Sequence, residues 1–228
     1  MGIMNYFEPC KYSIRLIGKL KSLDTHNVLD FELINKAVYW ARKYHANQKR
    51  KSGELYYTHP LEVAYIISDY NLKTDVIVAS ILHDIVEDTE VTVEMIHGSF
   101  GQRIAEMVDR LTRDRPDGTK LSVEDILNNS YQEKDREVLL IKLFDRLHNI
   151  QTIESIKTEK QKKIAEETLK YVAIISTEFD DISLEEYIYM SSYKIIATKQ
   201  DYDFYYKKYH RLLVFDDYRL PSPTFENN

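Results

Sequence analysis

The stretch Asp75-Val76-Ile77-Val78-Ala79-Ser80-Ile81-Leu82-His83-Asp84-Ile85-Val86-Glu87-Asp88 is apolar on every side of a helical wheel until four ionisable residues interrupt it near its end. A helix that is hydrophobic all round is a buried one, so this segment predicts the central helix of the core. The flanking sequence is helical too. From Phe31 to His45 the residues Leu33, Ile34, Ala37, Val38, Trp40 and Ala41 recur at three-to-four spacing. The polar, basic run Asn47–Glu54 contains Gly53 and reads as a loop. Thr58-His59-Pro60 then opens a helix continued by Leu61, Val63, Ala64, Ile66 and Ile67, with Pro60 suited to a first helical position.

Downstream, the pattern predicts a short helix from Thr92, another over Ile104–Leu111 and a polar loop over Arg113–Lys120. A short helix over Val123–Asn129, an apolar one over Asp135–Ile150 and a charged one over Glu159–Ile175 follow. Only 6 Gly and 5 Pro occur in 228 residues, too few for a fold made of many turns. The fold class expected is all-α.

Composition narrows the function. Lys and Arg total 31 against 37 Asp and Glu, a net charge of −6. That balance disfavours non-specific nucleic-acid binding, which needs cations in surplus to displace counterions. The single cysteine, Cys10, excludes an internal disulfide and a multi-cysteine zinc site. No apolar run reaches bilayer-spanning length. The cluster Ile14–Leu20 is broken by Arg15 and Lys19 and does not read as a signal peptide. The expectation is a soluble, cytoplasmic protein that contacts neither membrane nor nucleic acid. Residues 181–228 differ in composition: they hold 8 of the 18 tyrosines. They read as a helical C-terminal extension, packed on the body or on a second copy of the chain in a homo-oligomer.

The chemistry concentrates where the buried helix becomes polar. Burying ionised carboxylates is costly unless something compensates them. His83 and Glu87 are four apart, as are Asp84 and Asp88, so in a helix these pairs share faces. A divalent cation would compensate them; helix-end ion pairs would also, although the helix dipole disfavours acids at a C-terminus. Spacing alone leaves both open. His59 at a helix start and Asp145 in a second apolar helix extend the candidate set, against a plain cap-region histidine and an ion pair with Lys142 or Arg146. Two imidazoles and two carboxylates suit manganese, iron, zinc or magnesium. The remaining histidines, His26, His45, His97, His148 and His210, read as structural or surface residues.

In order, these segments are His59-Pro60, His83-Asp84 with Glu87-Asp88-Thr89, and Asp145-Arg146-Leu147-His148-Asn149. The order resembles the HD-type metal hydrolases, and among them the hydrolase domain of the RelA/SpoT family, similar to small alarmone hydrolases. Gln48-Lys49-Arg50-Lys51-Ser52-Gly53-Glu54-Leu55-Tyr56 resembles that family's basic substrate loop. Phe100-Gly101, Val108-Asp109, Leu111-Thr112 and Lys163–Leu169 also fit. The resemblance covers roughly residues 32–180 and implies an HD-domain helical bundle over 1–180.

It further implies a pyrophosphohydrolase that removes the 3′-pyrophosphate of ppGpp or pppGpp to give GDP or GTP. Carried over by position, it makes His59, His83, Asp84 and Asp145 the metal ligands, with Mn2+ the expected ion. Glu87 and Asp88 would orient and deprotonate the attacking water. Arg50 and Lys51 would hold the nucleotide, Ser52 the base, and Asn149 and Thr152 the ribose or 3′-phosphate side. Read without the resemblance, Arg50-Lys51 is first of all a solvated basic loop. Gln151 departs from the arginine frequent at its position, and nothing in the sequence resembles a synthetase domain. Two other functions fit less of the pattern: an HD phosphohydrolase for another nucleotide (the 2′-phosphate of NADPH, a deoxynucleotide, a cyclic dinucleotide), and a non-catalytic nucleotide sensor.

Overall fold

The structure, a computed structural model, describes residues 6, 8–115, 117–170 and 182–197. Among them all regular structure is helical, with only two isolated bridges, Lys49–Leu55 and Asp114–Lys120. The helices are α1 (Lys11–Leu23), α2 (Phe31–His45), α3 (Thr58–Ile67), α4 (Thr74–Leu82), α5 (Ile85–Asp88), α6 (Val93–Phe100), α7 (Gln102–Leu111), α8 (Val123–Gln132), α9 (Arg136–Gln151), α10 (Thr158–Lys170) and α11 (Ile182–Ile196). The all-α expectation holds. Helix α1 was not anticipated; it reads from the sequence as an interrupted apolar cluster, yet its Leu16 and Leu20 are fully buried.

Helix α4 is the hub, packing against α2, α3 and α7. Every residue from Val76 to Leu82 is buried. Each large aliphatic side chain removed from water there contributes about 1.5–3 kcal/mol, so the hub is held by apolar burial rather than by polar pairing. The ends are set by short polar side chains. Asp30 caps α2 by accepting the Leu33 N–H at 2.9 Å, Thr92 caps α6, and Ser122 with Asp125 forms a capping box at α8. Gly101, at φ 89°, turns the chain sharply between α6 and α7 in a region that disfavours side chains.

One element departs from the sequence reading. The segment Asp75–Asp88 is not one helix: α4 stops at Leu82, and α5 resumes at Ile85. The imidazole of His83 donates through Nδ1 to the Ser80 carbonyl at 2.8 Å, competing for the acceptor that a continuing helix would offer to Asp84. Asp84 sits at φ −102°, ψ −3°, away from helical values.

Helix α9 is anchored at its start by charge. Asp135, almost buried, accepts the Val138 N–H at 3.2 Å and pairs with Arg110 at 2.9 Å and Arg103 at 3.3 Å; Arg103 also reaches Glu137 at 2.7 Å. This fixes α9 against α7 and sets the rotation at which Lys142, Asp145 and His148 are presented.

The chain divides into two compact units, Met1–His148 and Asn149–Asn228. In the second, Ile150, Ile153 and Ala165 form a small core with Ile156, Ile164, Ile195 and Ile196. Gln151 donates to the Tyr187 hydroxyl at 2.6 Å, and Tyr189 stacks on Tyr193. The part of the C-terminal extension that is described, α11, is helical; the rest of the extension, with His210, lies outside the described residues, as does 171–175 of the charged helix.

Candidate metal centre

Three pieces of backbone bring the ligand candidates together. His59 comes from the first turn of α3, His83 and Asp84 from the break between α4 and α5, and Asp145 from the middle of α9. His59, His83 and Asp145 each offer an atom within 4.8 Å of the others, and all three are buried. His59 Nε2 lies 3.1 Å from Asp145 Oδ1 and 3.6 Å from Asp84 Oδ2. His83 Nε2 lies 3.2 Å from Asp84 Oδ2 and 3.7 Å from Asp145 Oδ1.

Hydrogen bonds on the far sides of the rings orient both imidazoles. His83 Nδ1 faces a carbonyl, so it carries a proton, and Nε2 is the atom turned toward the two aspartates. His83 Nε2 is buried and makes no hydrogen bond of good geometry. Two ring nitrogens and two carboxylate oxygens at these distances need positive charge among them, either a proton on His83 or a bound cation. Donors at right angles around an ion with bonds of about 2.1 Å stand about 3 Å apart, so the spacing fits a small divalent cation.

The electrostatics point the same way. Burial opposes charge on His83, yet Asp84 and Asp145 outweigh it and raise its pKa to about 10. Burial also opposes ionisation of Asp84 and Asp145; His83 holds the first below the ordinary carboxylate range, and Lys142 with both imidazoles holds the second well below it. The field that binds a proton so firmly would bind a cation. His59, by contrast, is kept neutral by burial despite both aspartates.

Each acid is held on one oxygen from outside. Lys142, 4% exposed, pairs with Asp145 Oδ2 at 3.0 Å and leaves Oδ1 facing the imidazoles. The Tyr56 hydroxyl donates to Asp84 Oδ2 at 3.0 Å. Tyr56 in turn stacks on His45, whose Nδ1 meets Gln48 Oε1 at 2.9 Å. The Lys142–Asp145 pair, which read as an alternative to metal binding, is compatible with it because the two roles use different oxygens.

The other candidates divide. Glu87 is half-buried, and its Oε1 accepts the backbone N–H of Arg113. Burial raises its pKa, the Arg113 N–H opposes that, and nearby Asp84 adds to it. Asp88 is exposed, and its carbonyl accepts from Gln48 Nε2 at 2.7 Å. Arg50 begins a tight loop closed by Arg50 N–H to Glu54 O, Gly53 N–H to Arg50 O and Tyr56 N–H to Gln48 O. Its Nη1 donates to His148 Nδ1 at 3.1 Å. Lys51 and Ser52 are exposed at the tip. Asn149 and Thr152 lie in the second unit, beyond the division at His148.

Sequence reading set His148 aside as structural or surface, and passed over Lys142 and Tyr56 as site residues. His148 is 8% exposed and 2.8 Å from His59. The available signal was the i, i+3 spacing of Lys142, Asp145 and His148 on one buried helix. His26 and His97 are exposed, as expected.

Residues 37–125 match the family model described as HD domain, a span that takes in His59, His83 and Asp84. The chain is 37% identical over 201 residues to a probable guanosine-3′,5′-bis(diphosphate) 3′-pyrophosphohydrolase of Mycoplasma genitalium, covering 82% of this chain and 28% of that protein. It is 32% identical over 216 residues to the guanosine-3′,5′-bis(diphosphate) 3′-pyrophosphohydrolase of Aquifex aeolicus, covering 86% and 30%. The chain thus carries an HD-domain match and is similar to these two proteins along most of its own length. It spans under a third of the length of these relatives. A solved structure described as a metazoan ortholog of SpoT that hydrolyzes ppGpp and plays a role in starvation responses matches this HD domain with a TM-score of 0.57 and 22% identity. The match covers 72% of this chain and 96% of that one. At that identity the likeness is one of fold.

Proposed function

We propose that this chain is a divalent-metal-dependent pyrophosphohydrolase that removes the 3′-pyrophosphate of ppGpp or pppGpp, giving GDP or GTP. The observation that carries the reading is the grouping of His59 Nε2, His83 Nε2 and Asp145 Oδ1 within 4.8 Å of one another, with Asp84 Oδ2 3.6 Å and 3.2 Å from the two imidazoles. These four residues would hold the ion, and Mn2+ is the ion the family favours. A bound divalent cation supplies Lewis acidity toward a phosphoryl oxygen and makes a neighbouring water more acidic.

The chain's own groups supply the rest. Glu87, with its pKa raised, takes the proton from the attacking water more readily than an ordinary carboxylate would. Asp88 orients that water. Arg50 and Lys51 neutralise the pyrophosphate, Arg through paired N–H groups. Ser52 faces the base, and Asn149 and Thr152 the ribose side. The family of the relatives and the basic loop favour a guanosine polyphosphate over other nucleotides.

We further read residues 1–180 as the HD-type domain and 181–228 as an extension packed on the body or on a second copy of the chain, an idea supported by its tyrosine content. No helix among the described residues is long and apolar enough to cross a membrane. Single cysteine usage suits a cytoplasmic setting.

The test is release of pyrophosphate from ppGpp with Mn2+, with GDP identified as co-product, and Asp84→Ala as the inactive control. Turnover of other nucleotides but not ppGpp would overturn the substrate; binding without turnover would favour a sensor.

A pH experiment checks the environment of Glu87. In the metal-free protein its carboxyl should titrate above 4.5, because burial and Asp84 favour the neutral form. Adding Mn2+ should move the midpoint down, because a cation favours the carboxylate. Carbon-detected NMR of the glutamate carboxyls reads both; an upward shift on loading would contradict the placement.

A further inference from the structure

His148 stands between the basic loop and the metal cage, and nothing in the proposed reaction uses it. Its Nδ1 lies 3.1 Å from Arg50 Nη1 and 2.8 Å from His59 Nδ1. A guanidinium can only donate, so His148 Nδ1 meets Arg50 as an acceptor and bears a lone pair. The same lone pair faces His59 Nδ1. Two facing lone pairs at 2.8 Å would repel, so His59 Nδ1 carries the proton and donates it to His148. That leaves the lone pair of His59 on Nε2, the atom 3.1 Å from Asp145 Oδ1.

We infer that His148 is a positioning residue that fixes the tautomer of His59 and ties the basic loop to it. The neutral ring of a metal-ligating histidine needs its outer N–H held, and an acceptor on the far side fulfils that role. Here the acceptor is an imidazole instead of a carboxylate or carbonyl. The substitution has a consequence: the acceptor's own orientation depends on Arg50. The loop that meets the nucleotide and the ligand that meets the ion share one nitrogen atom. Ion binding and loop position are therefore linked, and the linkage is reciprocal. His83 lacks such a coupling, since its outer partner is the Ser80 carbonyl of its own segment.

The inference rests on the metal-centre reading but not on the substrate, so its test uses Mn2+ alone. Calorimetric titration of the full chain with Mn2+ is compared for wild type, His148→Phe and His148→Asn. Phenylalanine keeps the ring and removes the acceptor; asparagine can place an oxygen near the position of Nδ1. His148→Phe should weaken Mn2+ binding about 10- to 100-fold, the usual cost of losing an outer partner, and His148→Asn should recover most of it. Equal affinities in all three, or equal loss in both variants, would overturn the inference.

If His148→Phe does not fold, Arg50→Met approaches from the other side. Removing the donor takes away the guanidinium contact that orients His148 Nδ1, and Mn2+ affinity should fall several-fold; unchanged affinity would overturn the coupling. Failure of ppGpp hydrolysis with normal Mn2+ titrations would instead strike the proposed substrate.

Discussion

Asp145→Ala is expected to yield a protein without bound metal, without turnover, and with a markedly lower melting temperature. The first two losses follow from removing the oxygen nearest His59. The third follows from Lys142, buried beside Asp145 and joined to it at 3.0 Å. With the carboxylate gone, an ammonium is left in the interior without its counter-charge, and breaking a buried pair from one side costs about 3–5 kcal/mol. Adding Lys142→Met should restore much of the stability and none of the activity. Thermal unfolding, metal analysis and ppGpp hydrolysis on the single and double variants separate the effects. A single variant as stable as wild type would mean that Lys142 finds another partner. An active double variant would remove Asp145 from the metal site.

Glu87→Gln should behave differently. It keeps an oxygen to accept the Arg113 N–H, so the turn into Arg113–Lys120 stays in place, and it leaves the ligand set untouched. What it loses is the ability to take a proton. The rate should fall by about 10²–10⁴, with Mn2+ content and melting temperature close to wild type. Glu87→Ala should lose the same rate and, in addition, some order in the loop that follows Arg113. Full activity in the glutamine variant would assign the base elsewhere, with Asp88 as the next carboxylate to test.

The fold was legible because α4 is apolar from Val76 to Leu82 except at Ser80, and α9 carries Val138, Leu139, Leu140, Ile141, Leu143, Phe144 and Leu147 in one helical run. Three of the four ligand candidates were legible for the opposite reason: His83, Asp84 and Asp145 are acids or imidazoles set within segments rich in large apolar residues. Their supporting partners were harder to see. Lys142 reads as a rival partner for Asp145 until the structure shows the two carboxylate oxygens divided between lysine and cage. Tyr56 and His148 touch the site through pairings that span 28 and 89 positions of sequence, and no periodicity reports such pairings. The break at His83-Asp84 was hidden because its cause is a ring hydrogen bond to Ser80, a competitor for the backbone that helical spacing does not register.

The ring of backbone hydrogen bonds through Gln48, Arg50, Gly53, Glu54 and Tyr56 has a thermodynamic corollary. Gly53, at φ 90°, lets the chain reverse inside it. A polyanion bound at Lys51 and Ser52, as proposed, would meet a rim whose main chain is already held by these hydrogen bonds. On the loop's side only side-chain torsions would remain to be frozen on capture, at about 0.5–1.5 kcal/mol for each long side chain, with no added cost of ordering its main chain.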